Sequence, residues 1–171
     1  MKIIKDRQIL DDVWQVLRLH EGDAADRIVV PPGDHLVPLP VWNCQWEALR
    51  ERRELGLWLG GFERIEDIPD DVHRFPLIAV DFHKYTDGRG YTLAYRLRTQ
   101  HGYRGELRAM GDIQQDQLSY LQRVGFDSFA LREDKDVQQA LAGFGTFSVS
   151  YQASADVATP LFRRVERGVA A

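Results

Sequence analysis

Cysteine is almost absent from this chain, which has Cys44 as its only one in 171 residues. A single cysteine excludes an intrachain disulfide, a redox pair of thiols within the chain and any multi-cysteine zinc or iron–sulfur site. Free cysteine is usually buried in proteins. We therefore expect Cys44 to be a small packed residue.

Long apolar runs and an excess of basic charge are lacking too. No window approaches the ~18 consecutive apolar residues of a membrane span, and the first residues lack the apolar core of a signal peptide. The formal net charge of −4 argues against broad electrostatic binding to nucleic acid, which needs a basic surface. These absences predict a cytoplasmic protein without a membrane or nucleic-acid partner.

Common catalytic and cofactor motifs are missing as well. The GRG at residues 88–90 has neither the GK[ST] ending of a Walker loop nor the GxGxxG of dinucleotide sites. No GxSxG elbow is present, and the five histidines show no metal-ligand spacing such as HxxxH. His83 is the one histidine in a loop where a proton donor could act. No cofactor is evident from the sequence.

The length and a hydrophobic content of 44% are typical of one globular domain with a core of ordinary size. We predict a single domain over residues 1–171, in which residues 1–30 form a small N-terminal β segment. A hairpin turn is expected at residues 6–8, and residues 13–17 favour a strand over a helical turn. Residues 152–171 are expected to form a tail or a short docked helix.

Strands and helices alternate along the remainder of the chain. This alternation is typical of an α/β protein with a mainly parallel sheet and right-handed crossovers. A complete eight-fold barrel needs roughly 200–250 residues, so the sequence predicts an open sheet or a partial (half) β/α barrel. The predicted strands cover residues 27–31, 54–61, 75–82, 105–112, 126–133 and 144–152, and the predicted helices 38–53, 91–101, 113–124 and 133–144, with a short acidic helix or turn at 62–72.

Local patterns mark several helix ends. Gly102 and Gly125 lie where a left-handed residue ends a helix, and each is followed by an aromatic residue that can make the accompanying apolar contact. Asp112 is predicted to cap the start of the next helix, with Gln115 three residues later completing the pair.

Glu106 and Arg108 lie two positions apart on a predicted strand, so they share one face. Neither side chain suits a parallel strand that is buried on both faces. We expect them to pair with each other or to mark a covered polar face.

Charged residues follow the predicted strand at 75–82. Ligands of a parallel α/β sheet bind beyond the carboxyl ends of its strands. Asp81, Lys84 and Asp87 lie at that end and are the candidate catalytic residues. The pattern does not indicate which of them, if any, acts in catalysis.

The loop after that strand predicts a small-anion site. Gly88 and Gly90 allow backbone N–H groups to approach a ligand, and the helix that starts there adds partial positive charge. Lys84 and Arg89 add full charges, so sulfite, sulfate, phosphate or a carboxylate would suit the loop.

An alternative gives the same loop a purely structural role. Asp87 would cap the helix, and Arg89 would pair with Asp81 or Asp112. The residue pattern leaves both interpretations open.

Three carboxylates end successive strands and offer a further alternative. Asp81, Asp112 and Glu133 would share one edge of a parallel sheet, where oxygen ligands could hold Mg²⁺ or Mn²⁺. The competing interpretation makes Asp112 a helix cap and Glu133 a solvated surface residue, and it predicts no metal.

The segment from residue 81 to residue 131 carries a set of specific residues: Phe82, Lys84, Thr86–Gly90, Gly105–Ala109, Gly111–Asp112, Asp116–Gln117 and Gly125–Phe129. On these residues the segment resembles a bacterial family of unknown function whose members are labelled as oxidoreductases of sulfite reduction. The resemblance implies a gene beside sulfite reductase and a role in sulfate assimilation; it identifies no catalytic residue. His83 and Tyr85 depart from the family pattern.

Three functional hypotheses remain open at this point. The first is an accessory enzyme of sulfite reduction that binds a small anion at the loop, and the second is a non-catalytic partner of the sulfite reductase subunits. Trp14, Trp42, Trp46 and Trp58 could line such an interface, although most are expected in the core. The third, weaker hypothesis is metal-assisted chemistry. A homo-oligomer is compatible with each.

Overall fold

The protein is an α/β structure built on one curled, half-barrel sheet of eight strands, as the sequence predicts. The structure, a computed structural model, describes residues 1–145 and 150–164. The strands are β1 (Lys2–Lys5), β2 (Gln8–Asp11), β3 (Gln15–Val16), β4 (His35–Pro38), β5 (Leu55–Leu59), β6 (Leu77–Phe82), β7 (Glu106–Gly111) and β8 (Ser128–Leu131). The helices are α1 (Leu39–Leu49), α2 (Arg89–Thr99), α3 (Leu118–Val124), α4 (Val137–Ala142) and α5 (Leu161–Arg164).

The strands lie in the order β2-β1-β8-β7-β6-β5-β4-β3. All neighbours from β3 to β8 are parallel, whereas β1 is antiparallel to both β2 and β8. The predicted N-terminal hairpin is confirmed, and it turns through Asp6 and Arg7, which have φ values of 51° and 58°. Positive φ at both turn residues is typical of a tight hairpin turn.

The helices cover one face of the sheet. Because side chains alternate along a strand, Ile78 and Val80 of β6 join the helices in the main apolar cluster. Leu77 and Ala79 point the other way and pack with Met110 in a second cluster. None of the buried helix residues described belongs to that second cluster. We call the face that carries it the inner face.

A charged cluster lies on the inner face around Arg108, which is 2% exposed. The predicted pairing is confirmed, because its guanidinium donates to Glu106 at 2.7 Å. It also donates to Asp12 at 2.9 Å and to the Ser128 hydroxyl at 3.0 Å. Burial raises the pKa of Glu106, but hydrogen bonds from Lys5 and Arg108 outweigh it and hold that pKa below its ordinary value.

The predicted strand at residues 27–31 is wrong. These residues form no strand, and Val29 is 82% exposed. Side chains from another segment donate hydrogen bonds to the backbone carbonyls here, so these carbonyls cannot pair with a neighbouring strand. Gln45 donates to the carbonyls of Ala25 and Ile28 at 2.6 and 2.9 Å, and Arg52 donates to the carbonyls of Val30 and Pro31 at 2.9 and 2.5 Å.

Other outcomes are mixed. The helix ends at Gly102 and Gly125 are confirmed, with φ values of 61° and 118°. Strand β4 escaped prediction because its apolar core is only Leu36 and Val37, next to a Pro-Pro-Gly break. Cys44 is exposed rather than packed. The predicted strand at 144–152 lies largely outside the described residues.

Within residues 1–145 and 150–164, no helix is long and apolar enough to cross a membrane.

Candidate functional site

The loop from residue 83 to residue 88 joins β6 to α2 at the carboxyl edge of the sheet. It is exposed along most of its length. A turn shapes it, in which the Asp87 N–H donates to the Lys84 carbonyl at 3.0 Å. The loop therefore returns at once to the start of α2 and presents its side chains to solvent.

Asp87 and Arg89 form an ion pair at the start of α2. The Arg89 guanidinium donates to both carboxylate oxygens of Asp87 at 2.5 to 3.1 Å, and the Arg89 N–H donates to the same carboxylate at 3.1 Å. These hydrogen bonds lower the pKa of Asp87 to about 2. Arg89 thus pairs with Asp87, and the predicted alternative partners, Asp81 and Asp112, are wrong. The same alternative had Asp87 cap the helix; the N-cap residue is Gly88 instead, although the Asp87 carboxylate accepts from the Arg89 N–H.

Lys84 has a different environment from Arg89. Its side chain is exposed, and its ammonium has no hydrogen bond or ion pair among the described residues. Gly88 has an ordinary φ of −80°, and a Cβ added there would have no neighbour within 4 Å. At Gly90 the added Cβ would lie 2.6 Å from the Phe82 ring. Packing therefore requires glycine at position 90 and leaves position 88 unconstrained.

Asp112 does not cap a helix as predicted. Gln114 and Gln117 form the reciprocal capping pair instead. The Asp112 carboxylate accepts from the Tyr85 N–H and the Gln114 amide, both at 3.1 Å. Gln117 donates to the Tyr85 carbonyl at 2.8 Å. The connection after β7 therefore holds the middle of the loop after β6, a long-range contact that the sequence pattern did not reveal.

Asp81 lies on the inner face, in register with Leu77 and Ala79. Its carboxylate has no hydrogen bond or ion pair within the described part of the chain. Burial raises the pKa of Asp81, although His83 and Arg18 partly oppose the shift. Gly111 has a φ of 91°, and a Cβ there would collide with the Asp81 carboxylate.

A cleft of about 570 Å³ opens where Asp81 lies, at the carboxyl ends of β6, β7 and β8. We call it the inner cleft. Neither Lys84 nor Arg89 lines it, so the loop and the cleft are separate surfaces of one edge. The cleft is lined by Met1, Val16, Arg18, Asp81, Met110, Gly111, Ala130, Leu131, Arg132, Glu133 and Asp134.

The three predicted carboxylate ligands do not gather at one point. Asp81 and Glu133 line the inner cleft, whereas Asp112 binds the loop. Among the residues that the structure describes, no group of three histidine, cysteine or acidic side chains could hold a metal ion. Arg132 lies between the two regions, 3.8 Å from Asp112 and 3.1 Å from Asp134.

Two residues of this edge were missed by the sequence reasoning. Arg18 follows β3, which is too short to mark a strand end. Glu63 follows β5 and accepts from the Gly60 N–H at 2.8 Å, while its other carboxylate oxygen is buried without a partner among the described residues. The double glycine at 60–61 was the available signal, since it ends β5 at the same edge as Asp81.

Comparison with known proteins gives a family but no relative of known function. No curated protein and no solved structure matches the chain significantly. One family model, described as bacterial protein of unknown function (DUF934), matches residues 56–162. The match runs from β5 into α5 and so includes the loop, Asp81 and most of the inner cleft. The chain therefore belongs to the DUF934 family of bacterial proteins.

Proposed function

We propose that this protein is an accessory protein of sulfite reduction that binds a small oxyanion, such as sulfite, sulfate or phosphate, at Lys84 and Gly88 of the loop and at Arg89 and Gly90 in the first turn of α2. The observation that carries the proposal is the exposed ammonium of Lys84, which has no partner among the described residues and lies shortly before α2 in the chain. The role in sulfite reduction rests on the resemblance of residues 81–131 to proteins with that label. The proposal covers binding of the anion and leaves its reduction to a partner.

The start of α2 favours an anion electrostatically. Aligned peptide dipoles place partial positive charge at a helix N-terminus, and its first N–H groups lack intrahelical partners. The open position at Gly88 lets a ligand approach the backbone there. Arg89 would supply a two-pronged contact, as guanidinium groups do with oxyanions.

Asp87 competes with the proposed anion for the hydrogen-bond donors of Arg89. Its carboxylate already accepts from the Arg89 N–H and guanidinium, and its low pKa keeps it ionised at neutral pH. The pair is exposed, so solvent screens it and it contributes little to stability. A dianion can therefore displace Asp87 from Arg89, and removing the Asp87 charge should strengthen binding.

Thermal shifts with sulfite, sulfate and phosphate test the anion site, with sodium chloride at matched ionic strength as the reference. Lys84→Ala should abolish the stabilisation by these anions, and Asp87→Asn should enlarge it. Lys2→Ala is the matched control, because Lys2 is exposed on the N-terminal hairpin. A ligand at 100 times its Kd stabilises by about 2.7 kcal/mol, which a melting experiment detects. Equal shifts in the wild type and Lys84→Ala would refute the site.

A second candidate function is supported by Trp46. Trp42 lies in the core as expected, and Trp14 and Trp58 pack beside the inner face. Trp46 is 46% exposed on α1 and borders a groove of about 400 Å³ with acidic residues on its far side. Large exposed aromatics are enriched at protein interfaces, so this surface suits the assembly partner of sulfite reductase considered above.

A pull-down with the sulfite reductase subunits tests that candidate. Trp46→Ala should weaken co-purification by tenfold or more, on the order of 1.4 kcal/mol or above for a central aromatic contact. Tyr95→Ala is the control, since Tyr95 is 43% exposed on a different helix. Failure of the wild-type protein to associate at micromolar concentrations would sink the assembly role.

A further inference from the structure

We propose that the inner cleft is a second ligand site, separate from the loop, which binds a small organic acid with an apolar body. Arg18 would hold the acid group, and Asp81 would accept a hydrogen bond from a hydroxyl of the same ligand. The inference does not depend on the anion site of the loop.

The size and the walls of the inner cleft suit a small molecule. Its volume of about 570 Å³ lies within the roughly 300–1,000 Å³ that is usual for ligand pockets. Met110, Ala130 and Leu131 form apolar walls, and each is at most 5% exposed. Ligand pockets are usually lined by such apolar side chains, with a few polar groups that fix the orientation of the ligand.

The position of the cleft supports the same conclusion. It opens at the carboxyl ends of three neighbouring parallel strands, β6, β7 and β8. That is the edge at which α/β sheets and barrels bind their ligands. The Asp6–Arg7 hairpin turn lies at the other end of β1, so it leaves this edge uncovered.

Arg18 is the cation of the inner cleft that is available to bind a ligand. Among the described residues its guanidinium has no hydrogen bond or ion pair, and it lines the cleft within electrostatic range of Asp81. Arg132, the other cation there, is held by Asp134 at 3.1 Å. A guanidinium can bind a carboxylate or a phosphate through two parallel hydrogen bonds.

Asp81 gives the cleft a polar group that can accept a hydrogen bond. It is unpartnered in the described structure and partly buried, and Gly111 approaches its carboxylate closely. Burial raises the pKa of Asp81, and its carboxyl group has acceptor oxygens whether it is protonated or ionised. The charged groups that act electrostatically on Asp81 are His83, Arg18 and Glu63. Arg132, Glu133 and Asp134 line the same cleft.

NMR titration of the isotopically labelled full chain tests the site. The probes are phenylacetate and phenyl phosphate, which share an apolar ring and differ in the acid group, and benzyl alcohol, which lacks the charge. Backbone and methyl signals of Val16, Met110 and Leu131 report on the cleft. We expect saturable shifts with at least one of the acids below about 10 mM, the range of a weak but specific ligand. The acid that binds identifies the head group.

Variants separate the proposed contacts from general binding. Arg18→Gln should weaken binding of the acid about tenfold or more, because it removes a charge-assisted pair. Arg53→Gln is the matched control, since Arg53 is exposed on another part of the surface, and it should leave binding unchanged. Asp81→Ala should weaken binding of mandelate, which adds a hydroxyl to phenylacetate, and Asp81→Asn should restore it, because the amide oxygen keeps an acceptor at the same place.

Three results would overturn the proposal. The first is the absence of saturable shifts at the cleft with either acid. The second is binding of benzyl alcohol as tightly as the acids, and the third is unchanged affinity in Arg18→Gln. Lys84→Ala serves to separate the two sites: it should abolish anion binding at the loop and leave phenylacetate binding intact. Loss of cleft binding in Lys84→Ala would also count against two separate sites.

Discussion

The carboxylate of Asp112 accepts a hydrogen bond from the backbone N–H of Tyr85 at 3.1 Å. The contact crosses from the connection after β7 to the loop after β6. Gln117 strengthens the junction by donating to the Tyr85 carbonyl at 2.8 Å, so both polar groups of one peptide residue are held by the next connection. The loop with Lys84 is therefore positioned from outside its own strand and helix.

Asp112→Ala should loosen the loop without unfolding the sheet. The change removes acceptors for the Tyr85 N–H and the Gln114 amide, each hydrogen bond being worth about 1 kcal/mol. We expect the free energy of unfolding to fall by about 1–2 kcal/mol and the Tyr85 amide to exchange faster with solvent. Hydrogen exchange read by NMR measures this. Asp134→Ala is the control, because in the described part of the chain the exposed Asp134 carboxylate pairs only with the exposed Arg132.

The two glycines of the GRG sequence should respond differently to alanine. At Gly90 the new methyl group would meet the Phe82 ring at 2.6 Å, so Gly90→Ala should cost about 1–3 kcal/mol, as overpacking does. At Gly88 the backbone is ordinary and the space is empty, so Gly88→Ala should keep or raise stability by up to about 1 kcal/mol. Urea unfolding compares the two. A large destabilisation by Gly88→Ala would contradict the geometry.

Asp81→Asn should stabilise the protein at neutral pH. Burial raises the pKa of Asp81 in the folded state, so ionisation becomes unfavourable there as pH rises above the unfolded value of about 3.9. The wild type should lose stability as pH rises through this range, whereas Asp81→Asn should not. Well below about pH 3.9 the two proteins should be equally stable, because Asp81 is then neutral in both the folded and the unfolded state. Melting temperatures at several pH values test the sign. Glu47→Gln, on the exposed side of α1, should change nothing at any pH.

Arg108→Ala should be the most damaging single change on the inner face. It would leave Asp12 without its cation among the described residues and Glu106 with Lys5 alone, although the side chains of Asp12 and Glu106 are only 6% and 12% exposed. Breaking a buried ion pair from one side costs about 3–5 kcal/mol. Urea unfolding should show that loss. Arg132→Ala, at an exposed position, should stay within about 1 kcal/mol of the wild type.

Acid should weaken the same cluster through Glu106. Its pKa is lowered in the folded state, so its contribution is present above the unfolded value of about 4.3 and disappears as pH falls through the folded value. Glu106→Gln should therefore flatten the dependence of unfolding free energy on pH in that acidic window. A slope as steep as that of the wild type would rule out Glu106 as its source.

The sequence predicts the fold best where a segment follows its own periodicity. Strand β6 is apolar on both faces, and α2 carries a helical stripe that ends at Gly102, so both were found in place. The segment at 27–31 looks like a strand locally. Its carbonyls are instead taken by Gln45 and Arg52 from the region of α1, and no local pattern reveals such contacts.

At the candidate site, too, local sequence patterns predict some features, whereas contacts between distant segments could not be predicted. Strand parity alone puts Asp81 on the face of Leu77 and Ala79, so its location apart from the loop was predictable. The pairing of Arg89 with Asp87 was predictable as well, because the two residues lie only two positions apart in the sequence. The position of Arg18 at the inner cleft was not predictable, because β3 contains only two residues and the place of β3 beside β4 depends on long-range packing.

The first strand of the chain completes the sheet beside β8, where Ile4 pairs with Phe129. During synthesis the N-terminal hairpin emerges early, yet Arg108 of β7 and the partner strand β8 appear only after β4 to β6 have been made. Contacts between such distant positions form late and slow folding. The hairpin must therefore wait with Ile3 and Ile4 exposed, and a nascent chain stopped before β8 would present an unpaired, apolar edge that invites association with other chains.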